Sequence, residues 1–205
     1  MKHLDPGRLH PQSAALLTSR GVVMDISVAG SADADAIQAY FRGLSQRSRY
    51  NRMMGAISEL PAGLLEAFTQ QRDDGRFTLL ATIDIDGVRH LIGEARYALD
   101  PDTMKVELAL SVADAWQGQG IGLALLSHLH GRANALGAEA SFGDTLYSNH
   151  AMLALAKKAG FSFMRTPGDW KQVRFEKQIE ASANFNGHFG AKAMQAASEI
   201  QALRG

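Results

Sequence analysis

The sequence predicts a mixed α/β (α+β) domain in which helices flank a largely antiparallel central sheet. Three features of its 205 residues point there. Strand-like runs follow one another across tight turns between residues 77 and 112, which favours antiparallel pairing over a regular doubly wound order. A glycine-rich run, Trp116-Gln117-Gly118-Gln119-Gly120-Ile121-Gly122, then leads from a strand straight into an apolar helix. A further strand, a short helix and a closing strand pair complete the order. Apolar residues make up 46% and charged residues 20%, so a single domain of this size buries an adequate core.

Residues 1–21 carry two prolines and mixed polarity, and read as an extended or partly helical leader ahead of a domain over 22–180. Val22 to Val28 predicts a first strand, and Ser31 or Asp33 caps a helix from Asp35 to Leu44. Ser48 to Met54 reads as an arginine-rich connection, and Pro61 opens a helix reaching Gln70. Asp73-Asp74-Gly75 is a turn. Phe77 to Asp84 and His90 to Leu99 read as strands around Asp86-Gly87, a tight hairpin signal. Asp100-Pro101-Asp102 turns the chain into a strand from Lys105 to Val112.

Past the glycine run, Leu123, Leu126, Leu129, Ala133 and Leu136 recur at helical spacing until Gly137 ends the helix. Ala138 to Leu146 is the next strand. Ser148-Asn149 caps a short helix, Ala151 to Ala159, which Gly160 terminates. Phe161 to Arg165 and Gln172 to Ile179 form a strand pair around Pro167-Gly168-Asp169. Residues 181–205, rich in Ala, Gly and Asn with a weak helical pattern from Ala191 to Leu203, read as an appended tail.

Charge and composition narrow the functional classes. The 21 basic and 21 acidic residues sum to zero, so no global field draws in nucleic acid or an anionic membrane. No apolar run is long enough to span a bilayer, no signal peptide opens the sequence, and a cytoplasmic protein is the plain expectation. The absence of cysteine excludes a disulfide framework, a thiolate zinc site and a cysteine nucleophile. His128 and His130 are two apart on a helix and point away from each other, and no His–carboxylate cluster suggests a metal. Nothing in the sequence indicates an oligomeric state.

The glycine run carries the chemistry. Three glycines at alternate positions let the backbone turn and let a ligand approach, and the helix that follows aims unpaired N–H groups and its positive dipole end at the same place. A phosphate suits that geometry, and a pyrophosphate suits it better. The dinucleotide pattern G-x-G-x-x-G fails, because Leu123 or Leu125 stands where its third glycine belongs. The nucleotide P-loop fails for want of Gly-Lys-Ser/Thr.

What remains, Gln117-Gly118-Gln119-Gly120-Ile121-Gly122 after a strand, resembles the Q/R-x-x-G-x-G/A loop of the GNAT acetyltransferase superfamily. The likeness extends over residues 22–180 through Ser48-Arg49-Tyr50-Asn51-Arg52-Met53, Ile92-Gly93-Glu94-Ala95-Arg96-Tyr97, Val106-Glu107-Leu108-Ala109 and Asn149-His150-Ala151-Met152-Leu153-Ala154-Leu155-Ala156. Together these resemble the GNAT domain of bacterial Pat-type protein lysine acetyltransferases, which modify acyl-CoA synthetases. Many such proteins carry a synthetase-like or cyclic-nucleotide-binding domain, for which 205 residues leave no room.

The resemblance implies acetyl-CoA as co-substrate and a GNAT-like sheet. It implies that Leu110, Ser111 and Val112 offer backbone hydrogen bonds to the pantetheine arm, as an added strand would. Gln117, Gly118, Gly120, Ile121 and Gly122 would face the pyrophosphate through main-chain N–H groups, and Asn149 would contact the coenzyme near its pantetheine. It also implies a protein substrate, with acyl-CoA synthetases as the partner class.

Acetyl transfer needs a neutral amine, and a lysine with a pKa of about 10.4 must first lose a proton. Glu107, between the apolar Val106 and Leu108 on the strand feeding the loop, is the candidate general base. Partial burial there is expected to raise its pKa, and the glutamate at the matching place in Pat-type enzymes serves as that base. The Tyr that many GNAT enzymes place seven residues after the helix-start Asn is here Ala156, which leaves Tyr147 or solvent to protonate the leaving thiolate. Glu94 reads equally as an ammonium ligand or a structural carboxylate. By the resemblance, Arg49, Tyr50 and Arg52 fall where the acceptor groove is expected and would read acidic residues on a protein substrate; an ordinary surface helix is an equal reading. Two alternatives stand beside a protein lysine: a small-molecule or N-terminal amine as acceptor, and a CoA-binding module that transfers nothing.

Overall fold

The computed structural model describes residues 14–70, 75–165 and 168–179. The tail at 181–205, the turn residues Asp73 and Asp74, and Pro167 lie outside the described residues. Eight strands form one sheet: β1 (Ala14–Leu17), β2 (Val23–Val28), β3 (Arg76–Ile85), β4 (Val88–Asp100), β5 (Lys105–Val112), β6 (Ala140–Leu146), β7 (Ser162–Arg165) and β8 (Gln172–Gln178). Their order is β1-β2-β3-β4-β5-β6-β8-β7. Every neighbouring pair is antiparallel except β5 and β6, which run parallel. The largely antiparallel sheet expected from the order of elements is therefore the one observed.

Helices cover both faces. The helix α4 (Ile121–Ala135) packs Ile121, Leu125, Leu126 and Leu129 against Met24, Leu79, Tyr97, Val106 and Leu108 of the sheet, and α5 (His150–Lys158) adds Ala156. On the opposite face, Ile37, Tyr40 and Phe41 of α1 (Ala34–Gly43) and Phe68 of α3 (Ala62–Thr69) pack on Leu80. Cover on both sides explains why β3 reads as an unbroken buried run from Phe77 to Ile83 rather than as an alternating one.

Two elements depart from the sequence reading. The short strand β1 pairs with β2 within the segment read as a leader, a four-residue run too short to show alternation. The arginine-rich connection is a helix, α2 (Gln46–Met53), with the Ser45 hydroxyl accepting the Ser48 N–H at 3.2 Å as its cap. None of its apolar residues is fully buried, so it has no apolar stripe to betray its period.

A fork in the sheet positions the site. The parallel pairing of β5 and β6 joins only Lys105–Glu107 to Ala140–Phe142. Beyond that, β5 stays bonded to β4 as far as Val112 opposite Gly93, and β6 stays bonded to β8 as far as Leu146 opposite Gln172. Each strand keeps its outer neighbour and parts from the other. Gly143 stands just past the last paired residue. A Cβ there would lie 2.7 Å from the Leu108 carbonyl oxygen and 2.3 Å from Phe175 Cζ, so only glycine lets the base of the fork close.

Candidate active site

A cleft of about 720 Å³ fills the fork. One wall is the edge of β5 from Leu108 to Val112, which has no strand partner on that side beyond the fork. Such an edge presents backbone donors and acceptors to an extended ligand. Leu110, Ser111 and Val112 all line it, as expected from the resemblance. The Ser111 side chain turns away, donating to Glu94 Oε1 at 2.6 Å and meeting the Tyr40 hydroxyl at 3.0 Å.

The glycine run closes one end. Gly118 and Gly120 hold φ of +74° and +89°, a region open to glycine at little cost. In α4 the Ala124 N–H bonds the Gly120 carbonyl at 3.0 Å, so the preceding N–H groups of Ile121, Gly122 and Leu123 have no acceptor within the helix. Gly118, Gly120, Ile121 and Gly122 all line the cleft. Gln117 lines it too, but its amide braces the loop by donating to the Val112 carbonyl at 3.1 Å and to Ser48 Oγ at 3.4 Å. Gln119 points inward, only 3% exposed, and donates to the Ala115 carbonyl.

Asn149 lines the cleft from the start of α5. Its Oδ1 accepts the Met152 N–H at 3.2 Å and its Nδ2 donates to Thr145 Oγ1 at 3.1 Å, which fixes the amide and leaves one Nδ2 hydrogen uncommitted by those bonds. Ala156 is fully buried in the core, Tyr147 is 65% exposed, and among the described residues no tyrosine lines the cleft.

The roof is α2, held by two polar anchors that the sequence reading did not identify. Arg52 makes a bidentate pair with Glu94, Nε to Oε1 at 2.7 Å and Nη2 to Oε2 at 3.1 Å. Both side chains are nearly excluded from solvent. Burial works against the charge on Arg52, yet the Glu94 carboxylate holds its pKa above the usual guanidinium range. Burial and the same carboxylate push the Tyr40 phenol well above its ordinary value. Glu94 is thereby a structural carboxylate rather than a free ammonium ligand. Arg49 likewise spends its guanidinium on the Arg42 and Leu44 carbonyls. The residues of α2 that line the cleft are Arg47, Ser48, Asn51 and Arg52, the last with its guanidinium already held by Glu94.

The second anchor is Asp114, which accepts the Ser45 N–H at 2.8 Å, Ser45 Oγ at 2.7 Å and Ser48 Oγ at 2.7 Å. Partial burial opposes its charge, but these donors outweigh it and hold its pKa below the usual carboxylate range. A depressed folded-state pKa contributes stability above the unfolded value of about 3.9, and that contribution is lost as pH falls through the folded value. Asp114→Asn is therefore expected to lower the melting temperature most near neutral pH. The gap from wild type should begin to narrow as pH falls below about 4 and close only once pH passes the depressed folded value and Asp114 is protonated; a gap independent of pH would contradict the role given to the charge.

Glu107 sits where the fork closes, opposite Ala98 on β4 and Phe142 on β6. The expectation of partial burial is corrected here. Its neighbours Val106 and Leu108 are buried at 0% and 3%, but strand alternation sends them to the α4 face and leaves Glu107 exposed on the other. Arg52, Arg96 and Arg174 all feel its charge. Its carboxylate nevertheless makes no hydrogen bond or ion pair among the described residues. The other carboxylates near the cleft are committed: Glu94 to Arg52, Asp114 to Ser45 and Ser48, and Asp144 to Arg174 through bonds of 2.6 and 3.0 Å.

His130 meets Ser141 Oγ at 3.2 Å, and burial lowers the pKa of both His128 and His130. Among the described residues no three His, Cys, Asp or Glu side chains gather as a metal ion would require, and no helix is long and apolar enough to cross a membrane.

A strand edge left open in a fork and ending at a glycine-opened helix start is shaped for a long ligand with phosphate partway along it. The chain belongs to the acetyltransferase (GNAT) family, whose model matches residues 44–161. It is 28% identical over 141 residues to an acetyltransferase of Pseudomonas aeruginosa, covering 69% of this chain and 76% of that protein. The GNAT domain of S. lividans PAT superposes with a TM-score of 0.73 at 26% identity, over 82% of this chain and 97% of that one. A phosphinothricin acetyltransferase of Sinorhizobium meliloti, in complex with AcCoA, matches with a TM-score of 0.60 at 22% identity, over 80% and 94% of the two chains. At that last identity the likeness is one of fold.

Proposed function

We propose that the protein is an acetyl-CoA-dependent N-acetyltransferase that passes acetyl directly to a protein lysine, with Glu107 as general base and acyl-CoA synthetases as the candidate substrates. The cleft fits the coenzyme: an open β5 edge at Leu110–Val112 for the pantetheine, the N–H groups of Gly118, Gly120, Ile121 and Gly122 for the pyrophosphate, and the uncommitted Asn149 hydrogen beside them. When bound, acetyl-CoA supplies an activated acetyl thioester.

The free carboxylate of Glu107, among neighbours that are all committed, is the observation that carries the reading. It stands ready to take the proton of an arriving ammonium, directly or through one water, and leaves a neutral amine as nucleophile. The chain has no cysteine to carry an acyl group, which favours direct transfer. A protein acceptor is supported by the S. lividans PAT likeness and by the open ground beyond Glu107. Strand register puts Phe142, Arg174 and Met164 on the same face as Glu107, with Met164 47% exposed. A cytoplasmic location goes with this substrate class.

The acceptor is tested by incubating the protein with acetyl-CoA and a panel of folded acyl-CoA synthetases, lysine peptides and small amines. Acetyl-lysine on a folded protein, formed faster than any small-amine product, is the expected result. Transfer confined to small or N-terminal amines would reject the protein substrate.

A further inference from the structure

Lys158 stands at the end of the cleft remote from Asn149. On α5, Ala151, Met152, Leu155 and Lys158 line the cleft at helical spacing, starting one residue after the His150 that follows the Asn149 cap. Leu155 marks where this line passes the start of α4, because a Cβ on Gly122 would lie 3.1 Å from Leu155 Cδ2. Asn149 therefore lies on one side of the glycine cradle, and Lys158, about one turn beyond Leu155, lies on the other. Lys158 is exposed and its ammonium has no hydrogen bond or ion pair among the described residues. The other cation of the cleft without such a bond, Arg47, is on the opposite wall, next to the Ser48 that meets the Gln117 amide.

Coenzyme A has its pyrophosphate in the middle, with the pantetheine leading one way and a 3′-phosphorylated adenosine the other. With the pantetheine running from the cradle toward the fork and Asn149, the nucleotide end leaves on the side of Lys158. A phosphate monoester there carries a charge of about −1.5 to −2 near neutral pH. We propose that Lys158 binds the 3′-phosphate of coenzyme A and so makes the protein discriminate between coenzyme A and 3′-dephospho-coenzyme A. This rests on the coenzyme reading given above.

The test is equilibrium binding of the two compounds by calorimetry to the full chain, as wild type, Lys158→Ala, Lys158→Glu and Lys157→Ala. Lys157 is an equal charge on the same helix that does not line the cleft. Wild type is expected to prefer coenzyme A by about three- to tenfold at low ionic strength, less at high salt. Lys158→Ala should abolish most of that preference by weakening coenzyme A alone, Lys158→Glu should go further, and Lys157→Ala should retain it. A preference unchanged in Lys158→Ala, or equally reduced by Lys157→Ala, would overturn the proposal. Wild type that binds neither compound would instead overturn the coenzyme reading on which it stands.

Discussion

Glu107→Gln is expected to lower kcat by about a hundredfold or more while leaving acetyl-CoA affinity within about twofold. The substitution keeps the shape of the side chain and removes its basicity. Glu107 lies outside the residues lining the coenzyme cleft, and beside it β5 and β6 are joined by backbone bonds that a glutamine leaves intact. Binding and turnover should therefore separate, which a variant that merely unfolds or distorts the fork would not allow. Glu107→Asp, with the carboxylate withdrawn by one methylene, should fall between. Undiminished turnover in Glu107→Gln would move the proton transfer elsewhere, and Asp144, which does line the cleft, would be the next group to examine.

Arg52→Ala is expected to destabilise the protein by about 3–5 kcal/mol. It would leave Glu94, 2% exposed, with Ser111 as its remaining hydrogen-bond donor and no countercharge. It would also remove the guanidinium that stands 5.4 Å over the Phe68 ring. The size of the effect comes from stranding a buried charge rather than from the net worth of the pair. Replacing both partners, Arg52→Met with Glu94→Met, should then recover a large part of the loss. Denaturant unfolding of the single and double variants measures this directly. A double variant as unstable as the single one would mean that the pair itself, and not the stranded carboxylate, carries the stability.

The glycine run was legible because its chemistry is local. Left-handed glycines, a strand before and a helix after are all encoded within ten or so residues, and the structure brings Gly118, Gly120, Ile121 and Gly122 together at the helix start as that pattern requires. The strand Lys105–Val112 was likewise plain from its own residues. What stayed hidden is tertiary. The fork depends on where β5 and β6 stop pairing, and nothing in either strand announces that. Its one trace is Gly143, a glycine inside a strand where a backbone must come close. The roof helix reads as a connection, with a surface helix as the equal alternative, because its polar sequence carries no period to decide between them. The arginines themselves divide: Arg49 is spent on carbonyls away from the cleft, and Arg52 lines the cleft beside Arg47, Ser48 and Asn51 but commits its guanidinium to Glu94. For Glu107, apolar neighbours in sequence suggested burial, whereas in a strand they predict the opposite face.

Acetyl transfer itself is the central claim, and release of free CoA from acetyl-CoA by the wild-type protein across the acceptor panel tests it most directly. Release that requires both protein and an amine acceptor, and that is greatest with folded protein substrates, is the expected result. Saturable binding of acetyl-CoA with no release on any acceptor class would contradict it, and would make the cleft a coenzyme-binding module instead.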